Sequence, residues 1–105
     1  MDTIKELKPK ELANGITGYY VHGEKHSLGL VEIKKGSSVP LHKHQNEQIT
    51  FILEGQLDMM IDGTPCSLTK GMFKVIPSNI VHSAIAATDC TVIDTFAPVR
   101  EEYKN

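Results

Sequence analysis

Two imidazoles two residues apart, His42 and His44, are the part of this 105-residue chain best suited to chemistry. In an extended strand, residues i and i+2 point to the same face. His42 and His44 then converge on one point, with Lys43 turned away. Two nitrogen donors on a stiff strand make half of a metal site. A third histidine, His82, stands late in a second hairpin pattern. Asp94 is a further candidate, because on a strand it shares a face with Val92 and Phe96. An aspartate among apolar neighbours either faces outward or is a desolvated carboxylate with a pKa raised toward the acid/base range. His22 and His26 fit no such pattern and are expected at the surface or at strand ends.

The elements that must hold these groups are short strands. β-Branched and aromatic runs predict strands over 17–22, 27–34, 39–44, 48–54, 56–61, 66–68, 72–76, 81–87 and 91–96. Glycine, proline and asparagine punctuate them, and Asp62-Gly63 has the chemistry of a type I′ hairpin turn. Residues 1–13 mix lysine and glutamate around Ile4, Leu7 and Leu12, and Pro9 stops a helix. They are expected as an arm or edge strand, with the barrel over 14–97 and a charged tail over 98–105. Many short, regularly spaced strands mean an all-β fold, a single-domain jelly-roll β-barrel. Met59 and Met60 are expected in the core or at an interface.

The length argues for one domain. The net charge of −2 and the scattered basic residues give no stripe for nucleic acid. No apolar run approaches a membrane span and no signal peptide opens the chain, so a cytoplasmic protein without a membrane partner is expected. Cys66 and Cys90 are then expected as reduced, buried thiols.

Two spacings carry a family resemblance. Gly36, five residues, His42-x-His44, three residues, Gln48, six residues, Gly55 resembles the first motif of the cupin family. Gly71, five residues, Pro77 and then His82 resembles the second, with fifteen residues between the two motifs. The resemblance implies one divalent metal ion held by His42, His44, the residue at position 48 and His82. Zinc, nickel, manganese, iron and copper all suit such donors. Asn79 stands where the family usually has glycine, Ala86 where it often has asparagine, and Gln48 where it usually has glutamate. A neutral amide in place of a carboxylate weakens metal affinity and strengthens Lewis acidity. Glu47 is an alternative ligand. Motif spacing points Gln48 inward with Thr50 and Ile52; hydrophobicity would turn Ile49, Phe51 and Leu53 inward and bring Glu47 with them. Spacing, the more specific signal, favours Gln48. Ile49, Phe51 and Leu53 then form an outward apolar stripe, which predicts a homodimer.

The C-terminal run from Val92 to Tyr103 is similar to the last strand of the pectin-degradation cupins of the KdgF type, as is His42-x-His44-Gln-Asn-Glu-Gln48. That resemblance implies ring opening of 4,5-unsaturated uronate monomers from pectin or alginate, a small anionic sugar as substrate. It assigns catalytic roles to Asp94, Phe96 and Arg100. A non-catalytic cupin binding a metal or small ligand and a three-histidine dioxygenase are the alternatives. Asp94 and Arg100 speak for the uronate, since an oxygenase needs no acid/base group paired with a carboxylate clamp.

Overall fold

Alternation of side chains along each strand builds the molecule. The structure, a computed structural model, describes residues 2–104. Ten strands follow in order: β1 Lys10–Ala13, β2 Ile16–His22, β3 Ser27–Ile33, β4 Ser38–His42, β5 Glu47–Glu54, β6 Gln56–Ile61, β7 Thr64–Thr69, β8 Phe73–Ile76, β9 His82–Ala86 and β10 Cys90–Ala97. Ile4–Glu6 and Glu101–Tyr103 each form a single 3₁₀ turn. The strands pair antiparallel in two sheets, of order β1-β2-β3-β10-β5-β8 and β4-β9-β6-β7. This is the expected all-β jelly roll. No helix among the described residues is long and apolar enough to cross a membrane.

The core lies between the sheets. Ile16, Val31, Ile52, Val92 and Ile76 come from the larger sheet, Leu57 and Leu68 from the smaller, and all are buried. Burying one such aliphatic side chain stabilises by about 1.5–3 kcal/mol. In β3 every second residue is buried, and in β5 Gln48, Thr50 and Ile52 are buried while Glu47, Ile49 and Glu54 are exposed. Asp62 and Gly63 take the positive φ of the expected hairpin turn, 51° and 78°.

The charged tail packs back in part: Val99 and Arg100 are buried and Tyr103 half-buried, while Pro98, Glu101, Glu102 and Lys104 are exposed. Asn46 Nδ2 donates to the carbonyls of Pro98 (2.6 Å) and Val99 (3.4 Å). The Arg100 backbone N–H donates to Ser27 Oγ at 2.9 Å, and His22 Nε2 meets the Tyr103 carbonyl at 3.2 Å. His22 is therefore a clamp on this segment. β4 ends at His42, so His44 lies beyond it, and β7 starts at Thr64, two residues before the expected strand. Both cysteines are free; Cys90 is buried and Cys66 half-buried. Met59 is in the core, whereas Met60 keeps 39% of its surface exposed.

Candidate metal centre and its cavity

His42 on β4 pairs directly with His82 on β9, both in the smaller sheet. Their ring centroids are 4.2 Å apart. His44 sits where the chain crosses to the larger sheet, 5.5 Å from His42 and 5.1 Å from His82 by centroid. The alternation of facing continues through this crossing, with Lys43 exposed between the two half-buried histidines. The Asn79 N–H donates to the His44 carbonyl at 2.8 Å and steadies the crossing. Asn79 takes φ 63°, the left-handed turn that its side chain tolerates. One donor atom from each histidine falls within 4.8 Å of the others.

Hydrogen bonds fix which atom each ring presents. The Nδ1 atoms of His42, His44 and His82 meet the carbonyls of Pro40, Asn46 and Ile80 at 2.8, 3.0 and 2.8 Å. A carbonyl only accepts, so each Nδ1 carries the proton and each neutral ring turns an Nε2 lone pair outward. His82 Nε2 is buried without a hydrogen-bond partner among the described residues. Burial lowers the His82 pKa; burial and then the charge of Arg100 lower that of His44. Both rings are held in the neutral form that ligates metals. Convergent lone pairs, one of them buried and unpartnered, fit a divalent cation.

Gln48 lies inward on β5, and Glu47 is exposed on the opposite face. Gln48 Oε1 is 3.1 Å from His44 Nε2. Its Nε2 donates to Thr50 Oγ1 at 2.9 Å and to Asp94 Oδ1 at 3.4 Å, and Thr50 Oγ1 donates to Asp94 Oδ1 at 2.8 Å. Asp94 faces inward between buried Val92 and Phe96. Burial raises its pKa to about 6, against the opposing pull of the Thr50 and Gln48 hydrogen bonds and the charge of Arg100.

These groups line a cavity of about 220 Å³ with His42, His82, Phe96 and Arg100. The Arg100 guanidinium carbon lies 4.9 Å from the Phe96 ring centre and 4.3 Å from that of Tyr103. Its Nε is 3.1 Å from Glu102 Oε1, an ion-pair distance, yet that buried nitrogen has no hydrogen-bond partner among the described residues. Phe96 meets His44 edge-on at 5.9 Å. Tyr20 completes the floor. A Cβ on Gly18 or Gly29 would run into its ring, so two glycines let the ring lie flat on the sheet.

Six of the seven candidates, His42, Gln48, His82, Asp94, Phe96 and Arg100, line one cavity, and the seventh, His44, stands beside it against His42, His82 and Gln48. Sequence reasoning missed Tyr20, Asn46, Thr50 and Tyr103 as contributors. Thr50 carried a signal, since it shares the inward parity of Gln48. Asn46 carried the same signal one step earlier, being buried in that alternation.

Residues 29–96 match the cupin domain family. The chain belongs to that family. A pectin degradation protein KdgF from Dickeya dadantii is 29% identical over 75 residues, covering 70% of this chain and 68% of that protein. The solved structure of KdgF from Halomonas sp. superposes with a TM-score of 0.91 at 25% identity, covering 97% of this chain and 96% of the other. An RmlC-like cupin from Shewanella frigidimarina superposes with a TM-score of 0.92 at 23% identity, covering 99% and 95%.

Proposed function

We propose that this chain is a metal-dependent cupin enzyme that linearises 4,5-unsaturated uronate monomers released from pectin or alginate. The supporting observation is a shared site: three clustered imidazoles and an amide oxygen stand at one end of a cavity that a half-buried carboxyl and a guanidinium also line. The KdgF relatives support the substrate class. His42, His44, Gln48 and His82 hold the divalent ion, which when bound supplies Lewis acidity toward substrate oxygens.

The remaining roles belong to the chain's own side chains. Opening the ring through its enol ether needs one proton delivered to carbon and one removed from a hydroxyl or water. Asp94, with a pKa of about 6, exchanges protons near neutrality. Arg100 holds the substrate carboxylate by a bidentate pair, its plane braced by Phe96 and Tyr103. Phe96 is the apolar wall. Ala84, on the His82 strand, is small and leaves room in the cavity.

The working form is a homodimer in the cytoplasm. On the outer face of the larger sheet, Ile49 pairs with Val75 and Phe51 with Phe73. Phe73 is 61% exposed and Val75 47%. A two-fold copy of the same face would cover this patch. Metal analysis of the purified protein, with an ultraviolet assay for loss of the unsaturated uronate chromophore, tests the enzymatic reading. Stoichiometric metal and a rate far above the spontaneous one are expected. A metal-bearing protein with no added rate overturns it.

A further inference from the structure

We infer that Thr50 is a positioning residue, which sets the end of the Gln48 amide that faces the three histidines. The inference rests on the metal reading above. A primary amide has an accepting and a donating end of nearly equal shape, and half a turn exchanges them. The hydrogen-bond chain removes that freedom. Thr50 uses its only hydroxyl proton on Asp94 Oδ1, at 2.8 Å. Its oxygen can then only accept from Gln48, and Gln48 Nε2 donates to it at 2.9 Å. The longer contact from Nε2 to Asp94 Oδ1, 3.4 Å, pulls the same way.

A reversed amide would set its oxygen against the oxygens of Thr50 and Asp94. The orientation in place instead puts Oε1 3.1 Å from His44 Nε2. That ring donates through Nδ1 to the Asn46 carbonyl, so its Nε2 is an acceptor. Two acceptors face each other there, an arrangement that a cation between them relieves. Thr50 is 1% exposed, and its hydroxyl is held between Gln48 and Asp94. Its branched Cβ limits χ1 on a strand and keeps the hydroxyl aimed.

The test is a double-mutant cycle read as metal affinity, with Zn²⁺ as the probe in competition with a chromophoric chelator. The proteins are the metal-free parent, Thr50→Val, Thr50→Ser, Gln48→Ala and the double variant Gln48→Ala/Thr50→Val, with thermal melts to confirm folding. Thr50→Val, nearly isosteric, is expected to weaken Zn²⁺ binding about 10-fold, the low end for a lost outer hydrogen bond. Thr50→Ser, which keeps the hydroxyl, is expected within about 3-fold of the parent on the same ground. In the Gln48→Ala background Thr50→Val is expected to do nothing further. Thr50→Ala carries the same comparison should valine fail to fold. Parent-like affinity in Thr50→Val, or an equal loss with and without Gln48, overturns the inference while leaving the metal reading intact. A parent that binds no Zn²⁺ overturns the metal reading and this inference with it.

Discussion

Asp94 is the residue on which the proposed acid/base chemistry turns. Its side chain is half-buried on the strand face it shares with buried Val92 and Phe96, and two donors, Thr50 and Gln48, reach it. Desolvation outweighs those bonds and lifts the pKa to about 6. Asp94→Asn keeps the shape and the hydrogen-bond acceptor but cannot exchange the proton. It should retain the metal and the fold and lose about 10²–10⁴-fold in turnover, the usual range for a lost acid/base. Steady-state rates beside a metal assay check this. If Arg100 binds the substrate carboxylate as proposed, Arg100→Ala should raise KM more than it lowers kcat, although losing its charge also lets the Asp94 pKa rise further. The glutamine at position 48 also has a local reason. A glutamate there would set a second carboxylate oxygen near 3.4 Å from Asp94 Oδ1, where the amide now donates.

The elements decide where those residues stand, and here the sequence was legible in part. The inward parity of Gln48, Thr50 and Ile52 could be read from motif spacing, and the structure has that facing. The convergence of His42 and His44 was expected from one strand, but β4 stops at His42. Facing persists because the extended backbone continues alternating as it crosses between sheets. The closing of residues 98–104 over the cavity was not legible. Its anchors join residues 73, 52 and 81 positions apart in sequence, and no local pattern encodes pairings at that range. Asn46 is the most consequential anchor, because its amide serves two carbonyls just before Arg100. Asn46→Ala should cost about 1–3 kcal/mol, since it removes a buried amide and leaves the Val99 carbonyl unpaired. It should also raise KM in the direction of Arg100→Ala. Urea unfolding together with steady-state kinetics measures both.

At the scale of the whole molecule, stability and assembly report on the same features. The folded pKa of Asp94, about 6, lies above its ordinary value of 3.8. The folded state therefore holds that proton more tightly. This contribution is fully present below the unfolded pKa and lost as pH rises through about 6. The metal-free parent should lose on the order of 3 kcal/mol relative to Asp94→Asn between about pH 4 and pH 7. Urea midpoints of both proteins across that range check the sign. On the outer face, Phe73→Glu places a charge in the apolar patch and should turn a dimer into a monomer by light scattering. A parent that is already monomeric would remove the dimer from the account.

The central claim is that one cavity joins a metal centre to an acid/base carboxyl for ring opening. The most direct measurement is the rate of loss of the unsaturated uronate chromophore, with metal-loaded parent and metal-loaded Asp94→Asn compared side by side. Fast turnover by the parent and a loss of about 10²–10⁴-fold in the variant at equal metal content are expected. Equal rates in the two proteins, or a parent no faster than the spontaneous reaction, would contradict the claim.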